Sequence, residues 1–397
     1  MTTTCQVLEP QCDTVPLTSV ADATEANAAS GQLRMEVIHD INDIPFGAVD
    51  SWTRLTDNPM ATPQWLLPWW KHYSSANDEL QLILFFDQQQ LVSVVPLYLE
   101  NSGDLKLLGS GKVCSDHSEL LIGDVDSVQR ATPLLLEWLV GDESPNWRCL
   151  YLEAIDGFSQ TAAIAKDWGK QLPAWNQTGD PICTIEMPDD WEQYVASLSK
   201  NHRKRVRRWS RQHLESEEVQ VRSTASGWNL EEAFECLVYL HNLRRSDLPE
   251  TGAFECECFL EFHREAFTGL ALQGQAVISA LFVDDKPVAI EYELCNDDTM
   301  FAYQSGVDTE SGLSSPGSVS ILARLRSAVA SGKKTYDLMR GNESYKSHWK
   351  AQGEPTQNIT IWPRNFAGTS SRLKFHSKRK LRTAVRFVKA KWKKDSK

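Results

Sequence analysis

The chain has 397 residues, 41% of them hydrophobic, with 14 tryptophans and a formal net charge of -12, enough for two domains of about 150 residues with sizeable cores. Its most hydrophobic run, Leu80–Leu99, is broken by Asp87 and a run of three glutamines, which excludes a bilayer-spanning helix of ~20 apolar residues. Nine cysteines, an odd number without a Cys-x-x-Cys pair, exclude a disulfide framework and point to reduced thiols in a cytoplasm.

Cys256-Glu-Cys258 is not followed by the further ligands zinc needs, so no metal site is expected. Charge is unevenly placed. Residues 364–397 hold 13 Lys and Arg against Asp395, leaving 28 bases against 52 acids in the preceding 363 residues. A body this acidic has no general DNA-binding character. Residues 1–33 lack the basic start and long apolar run of a secretory signal and read as disordered.

From residue 34 the pattern alternates between periods of two and 3.6. Leu33–His39 reads as a strand, Gln64–Tyr73 as a helix, and Gln81–Phe86 with Leu91–Leu99 as a hairpin. Leu105–Leu108 suits a strand, Val128–Val140 a helix, Cys149–Glu153 a buried strand, Gln160–Lys170 a helix and Ile182–Met187 a strand. Asp190–Leu214 has the spacing of one long helix. Val219–Arg222 then begins a second round, with helices at Asn229–Arg244 and Phe259–Leu272. A meander follows at Ala276–Val283, Pro287–Leu294 and Met300–Gly306, then a helix over 316–331, a strand at Tyr336–Met339, a helix at Ser344–Ala351 and a strand at Asn358–Trp362. The halves repeat in order with little residue identity. The fold class is α+β, each half a mixed twisted sheet flanked by helices: residues 34–188 and 216–364, joined by a basic helix over 189–215 and followed by a basic tail over 365–397.

Ser315-Pro-Gly317 suits an N-cap, a first-turn proline and an uncovered amide. The amides of Gly317, Ser318 and Val319 there lack intrahelical acceptors, and with the helix dipole they suit a pyrophosphate; an ordinary capped core helix reads equally well. Glu291 and Glu293 flank Tyr292 and share one face of a strand, so one is a candidate base if that face lines a cleft. Asp337, just before Arg340-Gly341, could orient Arg340 or Lys346, bind an acceptor amine, or form a structural ion pair. Lys346 could meet phosphate or a substrate carboxylate. Lys200–Arg211 carries seven bases and no acid; Arg203 and its neighbours form either a positive wall facing an anionic ligand or a solvated face.

Leu198-Ser-Lys-Asn-His-Arg203, Gly306-Val-Asp308, Ser315-Pro-Gly317 and Asp337-Leu-Met-Arg-Gly341, with Tyr345-Lys346 and Trp349, together resemble the CelD-like acetyltransferases of the GNAT superfamily. The chain is more distantly similar to Fem-type peptidyltransferases. The resemblance implies two tandem GNAT-like folds over about residues 34–363, with acetyl- or another acyl-coenzyme A bound by the second. Asp308 to Gly317, including Gly312 and Ser315, would be the phosphate-binding turn. Tyr345 would protonate the coenzyme thiolate, and the first half would shape the cleft for a small-molecule or saccharide acceptor in polysaccharide or envelope biosynthesis. Alternatives are a Fem-type ligase, in which the basic helix contacts aminoacyl-tRNA, and a non-catalytic scaffold. In the tail, Leu381, Val385, Val388 and Trp392 recur at helical spacing among bases, the pattern of a helix lying on an anionic membrane or of a solvated tail.

Overall fold

The computed structural model describes residues 33–111, 113, 115–216, 218–245 and 252–395. The segment expected to be disordered lies outside these residues except for Leu33, which is buried. In the first half β1 (Arg34–Ile38) leads through α1 (Ala48–Thr53) and α2 (Pro63–Tyr73) to the meander β2 (Glu79–Asp87), β3 (Gln90–Leu99) and β4 (Asp104–Leu107). Then come α3 (Val125–Val140), β5 (Cys149–Asp156), α4 (Gln160–Trp168) and β6 (Ala174–Glu186). After α5 (Trp191–Ser197) and α6 (Lys200–Trp209), the second half runs β7 (Val219–Ser223), α7 (Leu230–Arg245), α8 (Glu257–Leu272), β8 (Ala276–Val283), β9 (Lys286–Cys295) and β10 (Thr299–Val307). It ends with α9 (Pro316–Ala330), β11 (Thr335–Arg340), α10 (Ser344–His348), β12 (Gln352–Ile361) and α11 (Phe366–Asp395).

Among the described residues the two expected sheets are joined into one sheet of 12 strands, ordered β1-β2-β3-β4-β5-β12-β6-β11-β10-β9-β8-β7. Read from either edge, each half lays down five strands in sequence, and the sixth strands cross over. The first half's β6 pairs with β11, and the second half's β12 pairs with β5. The two meet antiparallel at the centre, from Gln352 opposite Thr184 to Ile361 opposite Ala174.

The cores are exchanged in the same way. Ile359 and Ile361 of β12 pack with Leu150 of β5 and the apolar faces of α3 and α4, while Cys183 and Ile185 of β6 pack under α5, α6 and α9. On the other face a third core is common to both halves, with Trp65 of α2 set edge-on against Phe262 of α8 at 4.9 Å between ring centroids.

The long helix expected over Asp190–Leu214 is interrupted. Leu198 is extended, and Ser199 caps a new helix by accepting the amide of His202 at 3.4 Å. A turn of π-helix over Ser210–Leu214 follows α6. The two strands that cross over are also longer than their apolar runs suggest, because residues 174–181 and 352–357 extend them with polar, Gly- and Pro-bearing sequence.

The tail backbone is helical through Asp395. Trp362 packs edge-on against Phe375 at 5.3 Å, anchoring the first turns of α11, while the side chains of Leu381, Val385, Val388 and Trp392 lie outside the described ones. Among the described residues no helix is long and apolar enough to cross a membrane.

Deleting residues 352–397 is expected to unfold both halves, since β5 loses its inner neighbour. Hydrogen exchange checks this: amide protection across residues 149–156 should vanish together with that of residues 335–340.

Candidate active site

β10 and β11 run parallel, but their ladder covers only Thr299–Phe301 against Thr335–Asp337. Beyond it each strand bulges. On β10, Ala302 faces Glu293 and Gln304 faces Tyr292, leaving Tyr303 as the extra residue; on β11 the register shifts between Asp337 and Arg340. Bulges bend and twist a strand, and these two turn the pair apart. A cavity of about 450 Å³ opens between them, walled by Ala302–Val307, Leu338–Arg340, Gly317 and Ser318 of α9, Arg205 of α6 and Tyr345 of α10. Gly306 has a packing reason: a Cβ there would lie 2.5 Å from the backbone nitrogen of His241 on α7.

The start of α9 departs from expectation. Ser315 adopts a left-handed φ of 61°, and its side chain caps nothing. Its carbonyl instead accepts the amides of Ser318 at 3.0 Å and Val319 at 3.1 Å, so Val319 is committed to the helix and Ser318 to a tight first turn. Among the described residues, the amide of Gly317 has no protein acceptor, and a Cβ on Gly317 would meet nothing within 4 Å. Asp308 accepts the amide of Glu310 at 2.8 Å, and neither it nor Gly312 lines the cavity.

The end of β11 is held by side chains from both halves. The buried carboxylate of Asp337 accepts the amide of Met339 at 2.6 Å with one oxygen and Nε2 of His117 at 2.8 Å with the other. Met339 is left-handed, with φ 60°, a conformation that costs a residue with a side chain on the order of 1–3 kcal/mol. Asp116 accepts the amide of Arg340 at 2.7 Å and lies 3.2 Å from its guanidinium, whose other carboxylate, Glu153, is at 3.6 Å.

Lys346 is buried; its ammonium donates to the carbonyls of Met339, Arg340 and Gly341 at 3.0–3.3 Å and pairs with Glu343 at 2.9 Å. Asp337 therefore orients neither Arg340 nor Lys346, and Lys346 is occupied by backbone, not held ready for a ligand. No local motif marks Asp116 and His117 as partners of this strand. Their only signal was an Asp-His pair where the first half would place its own phosphate turn.

Burial pushes the Asp116 carboxyl up, against the pull of Arg340. For His117 burial alone would lower the imidazole. The hydrogen bond and charge of Asp337, with Asp116 and Asp156, more than reverse this, raising it from its ordinary value.

Glu291 and Glu293 do share a face, but only one meets the cavity. Glu293 is fully buried, accepts the hydroxyl of Tyr336 at 2.6 Å and is ion-paired with the buried Arg324, which removes it from the candidate bases. Glu291 lines the cavity. On α6, His202, Arg205 and Trp209 face the cavity at helical spacing. Arg203 turns aside to the carbonyl of Leu198 at 3.4 Å, so Arg205 is the base that faces the site. His202 stands edge-on to Trp349 at 4.6 Å, and burial, with His348 and Arg205 nearby, lowers it to about 4.

The first half repeats the parting of strands. β4 and β5 pair in parallel over Asp104–Lys106 and Cys149–Tyr151, but the space beyond, lined by Ser115, Glu153 and Arg340, is only about 10 Å³, the room of one water molecule.

A meander, a helix crossing to a parallel strand and a cavity where the two strands part make up a GNAT-like fold, and the same order of elements occurs in both halves. Residues 200–347 match the family model described as an acetyltransferase (GNAT) domain. Among solved structures, FemX superposes with a TM-score of 0.57 at 9% identity, over 82% of this chain and 96% of its own. A conserved protein of unknown function from Bacteroides thetaiotaomicron VPI-5482 superposes at 0.51 and 13% identity, over 82% and 100%. These likenesses are of fold. No curated protein matches the sequence.

Arg324→Met should destabilise the protein by about 3–5 kcal/mol by leaving Glu293 buried and unpaired, and adding Glu293→Leu should recover much of the loss. Urea unfolding of the single and double variants measures both.

Proposed function

We propose that the protein is an acyl-coenzyme A-dependent N-acyltransferase that moves an acetyl or other acyl group directly to an amine, including the amine of a sugar. The observation that carries this reading is the cavity between the parted β10 and β11, with the first turn of α9 at one end and Tyr345 on its wall. At that turn, the open space around Gly317 and its uncommitted amide fit a diphosphate beside the positive end of the helix. Arg205, exposed on the same wall, supplies a charge partner.

Tyr345, about two-fifths exposed, gives its proton to the leaving thiolate. The closed opening of the first half supports a supporting role for that half, with the donor site in the second. The likeness to CelD-like enzymes of polysaccharide or envelope biosynthesis belongs to this reading.

A second reading is a Fem-type transferase. The exposed Lys204, Arg205 and Arg208 on α6 favour it, as a surface for the phosphates of aminoacyl-tRNA. Binding of aminoacyl-tRNA that weakens steeply with salt, without binding of acyl-coenzyme A, would select it.

Calorimetry with acetyl-coenzyme A tests the first reading, and absence of binding to acetyl- and longer acyl-coenzyme A ends it. Gly317→Glu, which puts charge and bulk into the cradle, should lower donor affinity by about 100-fold or more; unchanged affinity would make the turn purely structural. Tyr345→Phe should cut kcat by about 100-fold while donor affinity holds, as steady-state kinetics beside calorimetry would show.

A further inference from the structure

A loop of the first half reaches the point where β10 and β11 begin to part. Phe301 and Asp337 are the last pair of their ladder, and the ring of His117 lies 5.6 Å from that of Phe301 while bonding to Asp337. The cavity wall starts at the next residues, Ala302 and Leu338. Tyr303, also on that wall, donates its hydroxyl to the carbonyl of Val113 in the same loop. Phe301 and Met339 belong to the core under α7 and α8, whereas α9 packs over the core on the opposite face. The loop thus stands across the sheet from the turn assigned to the donor's diphosphate.

Asp337 cannot rotate, since its second oxygen is committed to the amide of Met339. An ionised carboxylate only accepts, so Nε2 of His117 carries the hydrogen of their bond and a neutral ring keeps its lone pair on Nδ1. Among the described residues Nδ1 has no protein partner, and the side chain is 23% exposed. Two residues with side chains in left-handed backbone, His117 at φ 58° and Met339 at φ 60°, are tied to this one carboxylate. Residues held in such backbone cluster at active sites and ligand clamps.

We propose that His117 is the base that takes the proton from the incoming acceptor and that Asp337 is its positioning residue, a dyad assembled from the two halves of the chain. This rests on the acyltransferase reading above. The acceptor amine's lone pair forms the C–N bond at the thioester carbonyl while Nδ1 takes one N–H proton. The C–S bond breaks with its electron pair on sulfur, and Tyr345 protonates that sulfur. Solvent then returns the proton from His117 to Tyr345, so that overall one proton passes from nitrogen to sulfur. The groups facing His117 are Asp337 on β11, Asp116 and Glu119 on its own loop and Asp156 at the end of β5, with Arg340 beyond Asp116. The acids favour the imidazolium formed in the step.

The probe reaction is thiol release from acetyl-coenzyme A with 2-aminoethanol as acceptor. His117→Asn tolerates the left-handed backbone and still offers Asp337 a donor, but it takes no proton. It should lose about 100-fold or more of turnover with acetyl-coenzyme A affinity unchanged, and lose the rise of rate with pH that follows deprotonation of His117. Asp337→Asn keeps an oxygen for Met339 but presents an amide to the ring, which should turn the hydrogen onto Nδ1 and slow turnover likewise. Imidazole ¹⁵N spectra of the full chain read the tautomer without any acceptor. A neutral ring, observed above the titration of His117, with its hydrogen on Nδ1, or His117→Asn turnover within about twofold of the parent, overturns the dyad. Failure of the parent to bind acetyl-coenzyme A would instead end the acyltransferase reading itself.

Discussion

The antiparallel pairing of β6 with β12 at the middle of the sheet is the constraint from which the remaining geometry follows. Each strand closes the sheet of the half it does not come from and adds apolar side chains to that half's core. A backbone ladder has no tolerance for sliding, because a shift of one residue turns every side chain to the wrong face. The halves are therefore locked in register, and a loop of one can meet a strand of the other at hydrogen-bond distance.

That locking is used at the end of β11. Two bulges part the strands, and a bulge in a buried sheet leaves amides and carbonyls without ladder partners. Here Asp337 takes the amide of Met339, Asp116 takes that of Arg340, and Lys346 fills three successive carbonyls. Three charged side chains thus do the work of a missing stretch of strand. Asp116 arrives from the first half, which gives that half a structural part in the second half's cavity although its own opening is closed.

How far such a site can be read from sequence depends on what each residue contributes. The Gln81–Leu99 hairpin and the helix after Ser315-Pro-Gly317 were legible because alternation, periodicity and first-turn proline are local signals. The shared face of Glu291 and Glu293 followed from the period of a strand. Which of them lines the cavity did not, since Arg324 and Tyr336, which consume Glu293, come from other elements. Arg203 and Arg205 are equally basic, and the break at Leu198–Ser199 sets which one the helix turns toward the cavity. Reading Asp190–Leu214 as one helix lost that distinction.

Composition and periodicity, unaided, determined that the chain is α+β, that it repeats an order of elements twice, and that a helix begun by a proline precedes a strand carrying Asp337. These are properties of residues near one another in the chain. Only the tertiary structure decided that β6 and β12 change places and that Asp116 and His117 reach β11. The polar, Gly- and Pro-bearing stretches at 174–181 and 352–357 have no strand pattern of their own, and become strands because each supplies the other's hydrogen-bond partners. His117 and Asp337, 220 residues apart, are brought together by that same pairing, a contact that local periodicity does not encode.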